Sequence, residues 1–143
     1  MRRPLEPGSR PRLGEIRTQE LVAACAILGV DRQEFLGYRD SGDEGSPSNH
    51  HPRAFERAPL SETAGRIAML LRDERPEVVV TYTADGTYRN PDHRKVHAST
   101  VAALDTLAAE GWSPDKVYLN AVPREFAREI GRASCRERVS NCV

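Results

Sequence analysis

The chain has 143 residues, a length that suits a single domain with a core of ordinary size. Its 21 basic and 21 acidic side chains cancel, so the sequence offers no overall attraction to nucleic acid or anionic lipid. No apolar run approaches the roughly 20 residues of a membrane helix, and the N-terminus lacks the apolar centre of a signal peptide. We therefore expect a cytoplasmic protein that binds neither nucleic acid nor membranes.

The cysteines and both ends of the chain carry no predicted site. Three cysteines without Cys-x-x-Cys spacing support neither a disulfide framework nor a cysteine zinc site, so a metal would need histidine and carboxylate ligands. We expect Cys25 to be a small buried hydrophobic residue.

The composition of residues 1–12 predicts a disordered leader. Residues 131–143 are similar to a translated sequencing adapter and are interpreted as a non-native tail, which leaves a domain at 13–130.

The first half of that domain predicts a helix, a short strand and a long loop. Residues 14–30 show helical apolar spacing and end at Gly29, which suits a left-handed cap. Residues 34–38 are a strand candidate. Residues 39–59 are rich in glycine, proline and serine and predict a loop, and loops of this length usually form a binding surface or a lid.

The second half alternates helices with strands. The predicted elements are a helix at 61–75 with Ser61 as its cap, a strand at 77–82, a helix that begins at the Asn90 cap and closes at Gly111, and a strand at 116–120. The strand at 77–82 is continuously apolar, which is typical of a central strand covered on both faces of a parallel sheet. This order predicts an α/β layered architecture.

Polar residues follow two of the predicted strands. Arg39 and Asp40 come after the first strand, whereas Tyr88, Asn90 and His93 come after the central one. In open parallel sheets, ligands bind beyond the carboxyl ends of the strands. We therefore expect Asp40, Tyr88, Asn90 and His93 to meet at one rim of the sheet.

Residues 85–100, DGTYRNPDHRKVHAST, hold two of the four histidines. His93 lies in a first helical turn, where the helix dipole disfavours imidazolium, so a neutral ring able to bind a metal is expected. His97 follows one turn later, at about 5–6 Å between Cβ atoms, which permits a shared metal. The same spacing also occurs on solvated faces, and two histidines are fewer than the ligands of a zinc site. Tyr88 can equally be a packed aromatic, and Asn90 merely a helix cap.

Residues 13–130 resemble the LmbE-like, PIG-L-type zinc-dependent N-deacetylases. The matching parts are LGEIRTQELVAACAILGV, LGYRDSG, PEVVVTY, and Tyr-x-Asn-Pro-Asp-His from Tyr88 with a histidine four positions later. YRDSG followed by PSNHHPRAF is most similar to the mycothiol branch, which deacetylates N-acetylglucosaminyl-inositol or cleaves mycothiol conjugates. The resemblance implies a Rossmann-like three-layer α/β/α fold with a mainly parallel sheet, a Zn²⁺ cofactor and a small amino-sugar conjugate as substrate.

The resemblance also assigns roles to single residues. It implies that Tyr88 and Asn90 are catalytic, that Asp40 and Arg39 bind substrate, and that His93 binds the metal. Tyr88 would stabilise the oxyanion of amide hydrolysis, and His97 matches a position outside the ligand set. Many members have histidine where this chain has Asn90, and asparagine can donate a hydrogen bond but cannot deliver a proton.

One part of the family pattern is missing. The other zinc ligands and the general base of the family lie in a His-Pro-Asp-Asp motif, which this sequence does not contain, since His51-Pro52 is followed by Arg53. We therefore interpret the chain as an enzyme fragment without its first strands, expected to be inactive alone and poorly soluble. The alternative is a non-catalytic Rossmann-like sugar-binding or interaction module. A nucleotide-dependent enzyme is disfavoured because no Gly-rich phosphate loop is present.

Overall fold

The structure, a computed structural model, describes residues 12–121. The predicted tail at 131–143 and all but the last residue of the predicted leader lie outside this range. The chain divides into two compact units, Met1–Leu36 and Gly37–Val143. In the described range, no helix is long and apolar enough to cross a membrane.

The first unit contains helix α1, Leu13–Leu28. Gly29 ends it with a left-handed φ of 70° and donates its N–H to the Cys25 carbonyl, which confirms the predicted glycine cap. None of the α1 residues is buried, and Ile27 is 86% exposed. The expectation of a buried Cys25 is wrong, because this free thiol is only half-buried.

In its described part, residues 37–121, the second unit contains two main helices and a two-stranded sheet. Its elements are α2 at Leu60–Glu74, β1 at Val78–Tyr82, the short α3 at Gly86–Arg89, α4 at Pro91–Ala109 and β2 at Lys116–Asn120. Single 3₁₀ turns lie at Pro47–His50 and Phe55–Arg57. Strands β1 and β2 are parallel, with Val78 opposite Lys116 and Tyr82 opposite Asn120. The α/β class and the parallel sheet are therefore confirmed.

Small side chains let α2 and α4 pack closely. Ala68 of α2 is buried against Ala103 and Leu107 of α4. Burial of these apolar groups stabilises the packing of the two helices. A buried hydroxyl pair, Thr63 with Ser99 at 2.7 Å, satisfies the polar groups between the same two helices. The pairing fixes the position of α4, whose first turn carries the candidate residues.

Two strand predictions are wrong. Residues 34–38 form no strand, and Arg39 makes only an isolated bridge with Ala54, because a strand pattern needs a partner strand to become a ladder. Strand β1 is not covered on both faces. Val79 is buried, but Val80 on the opposite face is 67% exposed. Helix α2 begins one residue early, at Leu60, with Pro59 rather than Ser61 as its cap.

Candidate functional site

The turn after β1 approaches the start of α4 so closely that it requires glycine. Gly86 is buried and has a φ of 71°. A Cβ atom on Gly86 would lie 3.1 Å from the Arg94 backbone nitrogen and 3.3 Å from the His93 Cβ. The absence of a side chain therefore lets the exit of β1 pass directly against the first turn of α4.

Two residues beside Tyr88 adopt positive φ angles although they are not glycine. Thr87 has φ 67° and ψ −53°, close to the strained γ-turn conformation, and Arg89 has φ 66°. The Thr87 amide donates to the Asp85 carboxylate at 3.1 Å and to the Thr83 hydroxyl at 3.2 Å. These hydrogen bonds stabilise the strained backbone of Thr87. The same turn carries Tyr88, whose side chain is 65% exposed.

The His93 ring lies against two tyrosines. It stacks on Tyr82 with ring centroids 3.8 Å apart, and it meets Tyr88 nearly at right angles with centroids 5.0 Å apart. Its Nδ1 is 3.3 Å from the Gly86 carbonyl oxygen. When Nδ1 carries the proton and donates it to this carbonyl, Nε2 keeps its lone pair. The contacts thus orient the ring and leave Nε2 as the nitrogen able to bind a ligand.

Asn90 caps α4 as the sequence predicts. Its side-chain oxygen accepts hydrogen bonds from the backbone amides of Asp92 at 2.9 Å and His93 at 3.2 Å, and Pro91 occupies the first helical turn. The cap uses the acceptor of the Asn90 amide, so its Nδ2 donor is the group that a substrate could meet. Capping and a donor role are therefore compatible in one side chain.

The loop that carries Arg39 and Asp40 reaches the same end of α4. Both side chains are exposed, and the Asp40 carboxylate accepts the Gly42 amide at 2.7 Å. The next residue, Ser41, donates its backbone N–H to the Asp92 carboxylate at 3.0 Å. The predicted approach of the Asp40 loop to the Asn90–His93 turn is thus present, although it is made by this contact and not by a strand.

The start of this loop is fixed on α2. The Tyr38 hydroxyl donates to the Glu62 carboxylate at 2.7 Å, and the Tyr38 ring packs on Phe55 with centroids 5.1 Å apart. Burial, followed by the hydrogen bond to Glu62, raises the pKa of the Tyr38 hydroxyl, while the Arg66 guanidinium opposes this rise. Tyr38 is therefore a neutral anchor for the segment that leads into Arg39 and Asp40.

His97, which the sequence left open as a second histidine for a metal, contacts the end of β1. His97 has its Nδ1 2.7 Å from the Tyr82 carbonyl oxygen, so this ring braces the end of β1. Between residues 12 and 121, no three His, Cys, Asp or Glu side chains gather as a metal site. Zinc takes three or four ligands, and the candidates here are the His93 Nε2 and the buried Asp92 Oδ1, which has no hydrogen-bond partner. These residues do not fit a complete zinc site.

Sequence reasoning missed three residues that shape the site. Gly86 could have been suspected from the Asp-Gly pair in a turn. Ser41 and Asp92 gave no such signal, because their hydrogen bond joins positions 51 residues apart. A contact of that separation is set by the packing of the loop on α4 and leaves no local pattern.

A protein-family model described as PIG-L, GlcNAc-PI de-N-acetylase, matches residues 2–104. The chain belongs to this family. The turn at Gly86, the Asn90 cap and the His93 ring all lie within the matched range, so the site is part of what the family model describes.

Curated relatives of this PIG-L family chain include three actinobacterial proteins with one name, 1D-myo-inositol 2-acetamido-2-deoxy-alpha-D-glucopyranoside deacetylase. The protein of Thermomonospora curvata is 46% identical over 139 residues, which cover 90% of this chain and 47% of the relative. The Salinispora arenicola protein is 47% identical and covers 78% and 38%. The Acidothermus cellulolyticus protein is 47% identical and covers 82% and 41%. The chain spans less than half the length of these relatives.

Proposed function

We propose that this chain carries part of the catalytic site of a hydrolase that removes the acetyl group from an N-acetylglucosaminyl-inositol conjugate. The observation that supports it most is the oriented His93 ring, which has Nδ1 at the Gly86 carbonyl and Tyr88 at its edge. The relatives named for this deacetylation share 46–47% identity with the chain, and that identity supports the same substrate class.

The exposed groups around His93 suit the parts of an amide hydrolysis. The Tyr88 hydroxyl would donate a hydrogen bond to the amide oxygen as negative charge develops there, a type of contact worth about 10²–10³ in rate. The Asn90 Nδ2 would donate a hydrogen bond near the nitrogen but has no proton to transfer. Asp40 and Arg39, both exposed, would bind the hydroxyls of the sugar or the inositol.

Zinc is the metal proposed for this site, with His93 Nε2 as one ligand. When bound, the metal would supply a Lewis acid that polarises the amide carbonyl. Since residues 12–121 do not gather three donors, the remaining ligands would come from outside this range. We therefore propose that this chain contributes one zinc ligand, one hydrogen-bond donor and one loop that binds the sugar.

The proposed function can be tested in a chimera. The segment of the Thermomonospora curvata deacetylase that aligns with this chain would be replaced by this chain, and acetate release from the compound in that enzyme's name would be measured. We expect turnover by the chimera, and a loss of roughly 10²-fold or more in His93→Ala, because the proposed zinc-binding nitrogen is removed.

His97→Ala is the matched control, since the second histidine braces the Tyr82 carbonyl and is given no ligand role. It should keep turnover within about tenfold. Equal acetate release with and without His93, in chimeras shown to be folded by circular dichroism, would contradict the proposal. Binding of the conjugate without any acetate release would support the non-catalytic sugar-binding module instead.

A further inference from the structure

Ser41 is a fully buried serine whose polar atoms are all in use. It is 0% exposed. Its backbone oxygen accepts from the Asn49 side-chain amide at 2.5 Å and from the Ser46 hydroxyl at 3.4 Å, and its own hydroxyl accepts the Glu56 amide at 3.0 Å. These contacts tie three separated parts of the 39–59 loop to one residue.

The remaining polar atom of Ser41 leaves the loop. Its backbone N–H donates to Asp92 Oδ2 at 3.0 Å, and Asp92 is adjacent to His93 in the first turn of α4. A charge-assisted bond of this kind is stronger than a neutral one, and its loss leaves a buried amide without an acceptor. Two exposed ion pairs also join this loop to the start of α4 and the turn before it. Glu44 pairs with Arg94 at 3.3 Å and with Arg89 at 3.8 Å.

The position of Asp40 depends on this arrangement. Its backbone is adjacent to the Ser41 anchor, and its carboxylate accepts the Gly42 amide within the same loop. Among residues 12–121, this segment pairs with no strand, and Arg39 makes a single isolated bridge with Ala54. The Ser41–Asp92 bond is thus the inner connection between the loop and the helix that carries His93.

We propose that Ser41 is a positioning residue. Its hydrogen bond to Asp92 attaches the Asp40 loop to the first turn of α4 and thereby fixes the position of the Asp40 side chain relative to His93. We call this attachment the lock. This inference rests on the proposed function for the roles of Asp40 and His93. The lock itself consists of hydrogen bonds in this chain and requires neither metal nor turnover.

The test is amide hydrogen exchange, measured residue by residue by NMR on the full 143-residue chain. Asp92→Ala should accelerate exchange at the amides of Ser41, Gly42 and Glu56 by roughly tenfold or more, because the loop loses its anchor. Asp92→Asn keeps an acceptor oxygen and should restore most of the protection. Asp105→Ala, an exposed aspartate on the same helix, should leave these amides unchanged.

A second variant changes the loop residue of the lock, Ser41, instead of Asp92. Ser41→Ala removes the hydroxyl that accepts the Glu56 amide, and it should accelerate exchange at Glu56, while the amides of Ala103 and Leu107 in the helix core stay protected. Unchanged exchange at Gly42 and Glu56 in Asp92→Ala, or no recovery in Asp92→Asn, would overturn the inference. Since the readout is independent of acetate release, this failure is distinguishable from failure of the proposed deacetylation.

Discussion

The residues around Tyr88 show how single conformations shape the site. Thr87 and Arg89 both have positive φ angles, and such strained residues concentrate at functional positions, where the surrounding contacts enforce them. The hydrogen bonds from the Thr87 amide to Thr83 and Asp85 hold Thr87 in this conformation. The strain on this turn is therefore linked to the presentation of Tyr88 beside His93.

Thr87→Gly should stabilise the chain. Glycine adopts the φ of 67° without the clash of a β-branched side chain, so we expect a gain of about 1 kcal/mol in the free energy of unfolding. Chemical denaturation measures it. Thr106→Gly is the matched control, because that threonine lies inside α4, where glycine destabilises by roughly 0.5 kcal/mol. Both variants lose a hydroxyl that donates to a backbone carbonyl, so a larger loss of stability in Thr87→Gly than in Thr106→Gly would contradict strain at this turn.

The elements divide into those with local signals and those without. The Gly29 cap, the Asn90–Pro91 start of α4 and the strands near 78–82 and 116–120 were predictable, because caps and apolar periods are local patterns. The strand predicted at 34–38 is absent, since Phe35 is 60% exposed and this stretch pairs with no strand among the described residues. The approach of the Asp40 segment to the start of α4 was expected from the strand order, whereas the Ser41–Asp92 hydrogen bond that makes this contact was not.

The two roles of Asn90 can be separated at the level of the helix. Asn90→Ala should lower the free energy of unfolding by about 1 kcal/mol, because the amides of Asp92 and His93 lose their acceptor. Asn90→Ser keeps a capping oxygen and should be nearly as stable as the unchanged chain. If Asn90→Ser nevertheless slows the chimera's acetate release, the donor role is supported. Full activity in Asn90→Ser would leave Asn90 as a cap only.

An ion pair joins the end of α4 to α2 and gives a pH-dependent contribution. The Arg72 guanidinium donates hydrogen bonds of 2.8 and 3.0 Å to the Glu110 carboxylate, and these bonds lower the pKa of Glu110 below its ordinary 4.5. A carboxyl whose pKa is lower in the folded state stabilises the fold above its unfolded pKa, and this contribution is lost as the pH falls through the folded value.

Glu110→Gln tests this ion pair. The melting temperature of the variant should be slightly below that of the unchanged chain at neutral pH, and the two should converge as the pH falls below 4.5. Glu77→Gln, at an exposed glutamate just after α2, is a charge-matched comparison. A difference between Glu110→Gln and the unchanged chain that grows toward low pH would contradict the pairing.

At the scale of the whole molecule, strand β1 is covered on one face, whereas strand β2 is exposed along its whole length. Val79 and Thr81 are buried, whereas Val80 and Tyr118 on the other face are 67% and 53% exposed. Exposed apolar sheet surface favours association. The poor solubility that we expect from the sequence would arise from this exposed apolar surface.

The two faces can be compared with one substitution. Val80→Lys should raise the soluble fraction on expression and leave the melting temperature nearly unchanged, because the side chain already meets solvent. Val79→Lys should unfold the chain, since it buries an unpaired charge. The soluble fraction of each variant can be measured after centrifugation of cell lysates. Equal behaviour of the two variants would show that this face of the sheet is covered in solution.

The most direct measurement of the central claim is the zinc content of the chimera that carries this chain. Elemental analysis after gel filtration should give about one zinc per chain when His93 and His97 are present, and the same content in His97→Ala. His93→Ala should lose most of the metal and the acetate release together. Full zinc content and full turnover in His93→Ala would contradict the account.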